Sequence, residues 1–288
     1  MTMATDRRRA APYALIAPSI LFLSVFFAWP MFRAVQLALT RPDESGLTLD
    51  NFDRMMGEQA FTDAWQNTLT IIIVLLPVQF VLALLMALLV NSQIKGRGAL
   101  VYVYAIPIAI SDLAAGIVWF SIFTENGYLN TVLVEWGLID RPFIFLNITT
   151  SWPIAIIVLA EVWRATSIIF VILLAGLQGI PAEYDEAASV FGAGWFTRLR
   201  KVTLPILRPS ILVAMILRTI LAFQMFAVVV ALTGGGTPVL ASETFRWFNR
   251  IRDEHVASAY ATFIMALSLM VVVIYLWAFR RAERKSNT

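Results

Sequence analysis

The sequence predicts an all-α, polytopic membrane protein with six transmembrane helices. Three observations carry that expectation. Of 288 residues, 59% are apolar and 14% charged, well short of the roughly one-quarter charged residues of soluble domains. The apolar residues gather into six runs, each long enough to span about 30 Å of hydrocarbon. Lys and Arg fall unevenly among the segments that join those runs.

The runs cover approximately residues 12–36, 67–90, 100–123, 152–177, 205–232 and 258–279, and read as one transmembrane domain over residues 1–288. An even number of spans puts both termini on one side, and Arg7, Arg8, Arg9, Arg280, Arg281, Arg284 and Lys285 make that side the cytoplasm. Segments assigned to the cytoplasm carry 13 basic residues, the external ones six and the spans three. The net charge of +3 therefore reports membrane orientation, and no basic patch interleaved with aromatics points to nucleic acid.

Taken in order, the first run follows Arg7 to Arg9, which also fits a signal peptide, but no small-x-small cleavage site closes it and five more runs follow. The external segment 40–66 is rich in Asp and Glu, and 124–151 holds aromatics around Trp136 and Phe143 to Phe145; both read as short capping helices and turns. The third run carries Asp112, the fourth Glu161 and Arg164, the fifth Arg218 and Gln224. After the fifth, Gly234, Gly235, Gly236 and Pro238 cannot continue a helix. His255, the single histidine, falls in the last external loop and reads as a solvated side chain. There is no Cys, which excludes disulfides, thiolate catalysis and zinc–thiolate sites. No GxxxxGK[ST] loop exists, so ATP that drives the protein binds another chain.

The cytoplasmic segment 178–204 is too apolar in parts for a disordered linker. Pro181 suits the first position of a helix, with Glu183, Asp185 and Glu186 in its first turn, where the helix dipole favours negative charge. Gly192 and Gly194 end that helix before a second short one carrying Arg198, Arg200 and Lys201. Within this segment Glu186-Ala187-Ala188, three residues, Gly192, nine residues, Val202, one residue, then Leu204-Pro205 resembles the EAA loop of ABC importer permeases. Val202 replaces the usual Ile, and Phe191 stands where many sugar permeases have Asp. The stretches 174–181 and 232–236 are similar to the carbohydrate-uptake permeases, of the MalF-like type that forms the first of a permease pair.

The resemblance implies a type I ABC importer permease fold with a cytoplasmic coupling helix. It implies Glu186, Ala187, Ala188, Gly192, Leu204 and Pro205 as the surface that docks on an ATPase. The implied partners are a second, MalG-like permease, an ABC ATPase dimer that binds ATP and Mg, an extracytoplasmic solute-binding protein and membrane lipid. The chain itself would catalyse no reaction and hold no metal or cofactor. Its place would be a bacterial or archaeal cytoplasmic (inner) membrane.

Charged and amide side chains inside apolar spans are costly and tend to face a cavity or a partner. Counting about 1.5 Å per residue, Asp112, Glu161 and Gln224 lie roughly 12 to 17 Å from the external ends of their spans, with Arg164 and Arg218 slightly deeper. They can share one polar layer. Two ordinary packing pairs, Glu161 with Arg164 and Asp112 with Arg218, account for the same residues. The resemblance places Asp112, Glu161, Arg164 and 222–225, including Ala222, Gln224 and Met225, at positions similar to those lining a sugar pocket. Carboxylates accept paired hydroxyls, Arg donates to ring oxygens, and Trp119 or Trp163 could stack on a sugar face. Two acids against two arginines give no net charge, which favours a neutral sugar, oligosaccharide or polyol moved by alternating access. A gradient-driven secondary transporter of a small polar solute is the alternative. It predicts two internal repeats, and no convincing one is found.

Overall fold

The computed structural model describes residues 13, 15–41, 46–92 and 94–286, with backbone alone for 282–286. Arg7, Arg8, Arg9, the start of the first span at residue 12 and the side chains of Arg284 and Lys285 lie outside the described residues. Helix α1 (Leu15–Ala38) is followed by α2 (Asp50–Gly57), α3 (Gln59–Asn91), α4 (Arg97–Ala105), α5 (Asp112–Phe123) and α6 (Tyr128–Glu135). Then come α7 (Trp152–Gln178), α8 (Ala182–Val190), α9 (Trp195–Phe223), α10 (Ala227–Thr233), α11 (Leu240–Phe245) and α12 (Glu254–Ser286). Helices α1, α3, α7, α9 and α12 are each long and apolar enough to cross a membrane. Helices α4, α5 and α6, bent by 97° at the break between α4 and α5, make a sixth candidate crossing when taken as one span.

That bend interrupts the expected continuous span at 100–123. Pro107 lies in a tight turn after α4, and Ser111 caps α5 by accepting from the Ala114 N–H at 3.2 Å. Asp112 is thereby the first residue of a helix and not a mid-span side chain. The fifth span is also divided: α9 stops at Phe223, and α10 begins at Ala227. No Gly or Pro marks that second break.

The described residues up to Gln59, with Thr244–Phe263, form one compact unit. Here Asn51 donates to the carbonyls of Ala38 (3.0 Å) and Thr40 (2.9 Å), and His255 Nδ1 lies 3.0 and 2.7 Å from those of Leu37 and Thr40. Between them they occupy carbonyls that the end of α1 leaves free. The half-buried His255 is therefore a capping group and not the solvated side chain the sequence suggested. Asp253 caps α12, accepting from the N–H groups of His255 and Val256 at 3.1 Å each, and pairs with Arg54 at 2.8 Å.

The second unit comprises Ala60–Glu243 and the remainder of α12. Helix α3 presents a buried stripe of Ala64, Thr68, Ile71, Leu75, Gln79, Ala83, Ala87 and Val90, spaced at three and four residues. Its lower part joins Ile169, Phe170, Leu173 and Leu177 of α7 with Leu207 and Ala214 of α9 in one core. Small residues bring the backbones together. A Cβ on Gly116 of α5 would meet Ala231 Cβ of α10 at 2.5 Å and the Val228 carbonyl at 3.0 Å.

Two predictions follow from these contacts. Gly116→Ala has a helix backbone on the far side of its clash, so it lowers stability by about 1–3 kcal/mol, measured as a drop in the melting midpoint of the detergent-solubilised protein. Burial pulls the Asp253 carboxyl upward, but the Val256 N–H, the Arg54 guanidinium and the His255 N–H outweigh it and hold it below the ordinary carboxylate value. Its contribution is therefore complete at neutral pH and is lost as pH falls below about 4 and through the lowered pKa. In Asp253→Asn the acid limb of the stability profile is flatter than in the unsubstituted chain.

Candidate functional site

Five polar side chains of the second unit join in one chain of contacts. Gln79 of α3 donates from Nε2 to the Glu161 carbonyl of α7 at 2.8 Å and accepts on Oε1 from Arg218 Nε of α9 at 2.7 Å. Arg218 Nη2 reaches Glu161 Oε2 at 2.6 Å. Glu161 Oε1 accepts from Arg164 Nη2 at 3.2 Å, and Arg164 Nη1 pairs with Asp112 Oδ1 of α5 at 2.9 Å. Two carboxylates face two guanidiniums, so the group is neutral.

Burial grades along this chain. Gln79, Glu161 and Arg218 are 0–1% exposed, whereas the Asp112 side chain is 48% exposed and that of Arg164 12%. Breaking a buried pair such as Glu161–Arg218 costs about 3–5 kcal/mol because it strands a charge. Of the two packing pairs read from the sequence, Glu161 with Arg164 forms. Asp112 with Arg218 does not, since Arg164 takes Asp112 and Arg218 takes Glu161. Gln79 was missed, although it stands out as an amide within the second apolar run by the same criterion that singled out Gln224.

The remaining residues of the expected pocket divide. Gln224 is exposed where α9 ends; Ala222 and Met225 beside it are buried. Trp119 meets Trp163 edge to face at 6.0 Å and stacks on Phe123 at 5.8 Å, while Trp163 keeps an exposed face. Arg164 Nε and Trp119 Nε1 are buried donors without a partner among the described residues.

The expected coupling loop forms α8 and the start of α9. Pro181 is the N-cap residue, one position earlier than expected, and Glu183 and Asp185 occupy the first turn. The helix ends in a Schellman motif: the Ala193 N–H reaches the Ala188 carbonyl at 3.0 Å and the Gly192 N–H that of Ser189 at 2.9 Å. Gly192 has φ +74°, which L side chains adopt at a cost. Arg198 of α9 clamps back onto Asp185 at 2.9 Å and Ser189 at 2.7 Å. Glu186 and Ala187 are exposed and Ala188 half-buried, while Val190 and Phe191 stand 86% and 89% exposed. Leu204 and Pro205 follow at the foot of α9, half-buried. A cavity of about 1010 Å³ lies beneath, lined among others by Ser92, Arg97, Leu177, Asp185, Trp195 and Arg198.

Residues 55–286 match the family described as "Binding-protein-dependent transport system inner membrane component". The chain belongs to that family. Among its relatives, the trehalose/maltose transport system permease protein MalF of Thermococcus litoralis is 32% identical over 281 residues, covering 93% of this chain and 94% of that one. The sulfoquinovosyl glycerol transport system permease protein SmoG of Agrobacterium fabrum is 34% identical, covering 93% and 90%. A bacterial alginate ABC transporter, solved in complex with alginate pentasaccharide-bound periplasmic protein, has a chain that superposes with TM-score 0.80 at 23% identity over 98% of each chain. That likeness speaks for the fold, which is the expected type I importer permease fold.

As a component of a binding-protein-dependent transport system, this permease is a multi-pass inner-membrane protein, and ATP is hydrolysed by a separate subunit. The gradient-driven alternative gives way to that assignment. Among the described residues, no group of three or more His, Asp and Glu is placed to hold a metal. Gly192→Ala meets open space but an unfavourable backbone. It costs about 1–2 kcal/mol, loosening the end of α8, and the expected outcome is faster proteolytic cleavage near residue 192 with the helix content unchanged by circular dichroism.

Proposed function

We propose that this chain is the MalF-like half of an importer that moves a neutral sugar, oligosaccharide or polyol by alternating access. The observation that carries the reading is the neutral polar layer, in which Asp112 is half-exposed beside the Arg164 guanidinium. Hydroxyls accept from a guanidinium and donate to a carboxylate, so a polyhydroxylated solute matches Arg164 and Asp112 without importing charge. Gln224 adds an exposed amide, and Ala222 and Met225 form apolar wall beside it. Glu161 enters as the group that holds Arg164. The names of the relatives, for trehalose or maltose and for sulfoquinovosyl glycerol, support a glycoside-sized solute.

In this reading a MalG-like permease covers the apolar faces that α1 and α12 leave open, such as Phe22, Phe26, Val273 and Ile274. An ATPase dimer, with its ATP and Mg, receives Glu186, Ala187, Ala188 and Gly192 of the coupling loop, with Leu204 and Pro205 fixing the start of the span behind it. A loaded solute-binding protein docks outside. Both termini face the cytoplasm, where Arg281 stacks on Trp277 at 3.5 Å.

Two measurements test this. In the assembled complex, a Cys replacing Ala187 should crosslink to a Cys on the ATPase, and its failure to do so would count against the coupling surface. Vesicles loaded with ATP should take up trehalose, maltotriose or glycerol in the presence of the binding protein. Uptake that continues without ATP would overturn the mechanism.

A further inference from the structure

Two members of the polar chain are out of any solute's reach. Gln79 and Arg218 are 0% and 1% exposed, yet both bind Glu161, one through its backbone carbonyl and the other through Oε2. Glu161 is sealed as well, so its carboxylate faces Arg218 on one oxygen and Arg164 on the other. Arg164 alone looks both ways, with Nη2 on buried Glu161 and Nη1 on half-exposed Asp112.

We propose that Gln79 and Arg218 are positioning residues for solute passage. Acting through Glu161, they fix the Arg164 guanidinium with one edge anchored and the other offered to Asp112, or to a solute oxygen in its place. The proposal rests on reading this layer as the solute pathway.

The two carboxylates differ in what holds them. Once Asp112 has moved away, Glu161 is the carboxylate left beside Arg164, and a guanidinium only 12% exposed that let go of it would be stranded in a low dielectric. The inner edge of Arg164 is therefore held whatever happens at its outer edge. Asp112 has other support: it is the first residue of α5, behind the Ser111 cap, where the helix N-terminus favours a negative charge and solvent reaches it. It leaves Arg164 at small cost. Asp112 is the movable counter-ion and Glu161 the fixed one, and a hydroxyl that displaces Asp112 finds Arg164 Nη1 already aimed.

The test uses the complete transporter in proteoliposomes, and the chain's lack of Cys makes single-thiol labelling clean. Arg218→Met removes the buried cation; Gln79→Leu keeps all charges and decides the matter if Arg218→Met fails to assemble. One readout is labelled trehalose, maltotriose or glycerol moved per ATP hydrolysed. The other, with no solute present, is the reaction of Leu113→Cys, an exposed neighbour of Asp112, with a charged maleimide. The expected result is that solute moved per ATP falls about tenfold, as misplaced contact groups do elsewhere, while binding-protein-stimulated ATP hydrolysis persists. Labelling of Leu113→Cys should rise roughly threefold as the weakly held Asp112 contact is lost. Equal loss of uptake and ATP hydrolysis with unchanged labelling assigns Gln79 and Arg218 to packing alone and overturns the proposal. If the unsubstituted transporter moves none of the three solutes, the carbohydrate reading fails, and the labelling result by itself upholds or overturns the positioning one.

Discussion

Glu161 and Arg218 meet on the facing sides of α7 and α9, with Gln79 of α3 closing the contact from a third helix. Removing two charges from water costs several kcal/mol per ion. That cost is offset here by directed contacts: Glu161 has a guanidinium on each oxygen, and Arg218 has an amide as well as a carboxylate. In return the three helices can meet in few arrangements. A slip of one turn along α9 would leave a buried cation beside the aliphatic surface of Leu75 or Ala83, one turn either side of Gln79 on α3. Apolar packing between the same helices, such as Leu173 against Leu207 and Ala214, is far less demanding about register. The ion pair therefore supplies specificity where lipid-like side chains supply cohesion.

Much of this was legible in the sequence, and for local reasons. The six apolar runs mark the crossings because burial in lipid is set by composition over about twenty residues. The coupling loop could be read in detail because its determinants lie within a few residues of one another: Pro181 at the entry, acids in the first turn, Gly192 at the exit. The breaks were harder. Pro107 and the Ser111-Asp112 cap were visible but lay inside an apolar run that hydropathy alone joins, and the break after Phe223 carries no Gly or Pro. Pairing across helices was harder still. Nothing in the sequence says that Arg164 faces Asp112 while Arg218 faces Glu161, because that choice depends on helix rotation and on Gln79, whose own sequence neighbours are wholly apolar. His255 shows the same limit: its role as a cap is set by the end of α1, more than 200 residues away.

The expected coupling loop and the polar layer are organised by opposite logic. Helix α8 is exposed along most of its length and is held at its end by a Schellman motif and from the side by Arg198, so it keeps its shape with little apolar burial beneath it. Its aromatic and aliphatic tips, Phe191 and Val190, face outward, as suits a surface completed by another protein. The polar layer is completed from within. Helix α9 joins the two: its first turn holds Arg198, and five turns further on it holds Arg218. Its course between them is irregular, with a π-helical turn at Leu199–Thr203 and Pro209 further on.

The break between α4 and α5 carries a different consequence. Helix ends expose carbonyls and amides that hydrocarbon cannot satisfy, and irregular backbone at membrane depth persists only against protein or water. Ser167 satisfies one such group, donating to the Tyr104 carbonyl at 2.7 Å, and Pro107 accepts from the Ile110 N–H at 3.2 Å. The other ends, and the half-exposed Asp112 beside them, need partners that these contacts do not supply. On a single subunit the break is therefore incomplete: its unsatisfied polar groups must meet either water or the surface of another protein.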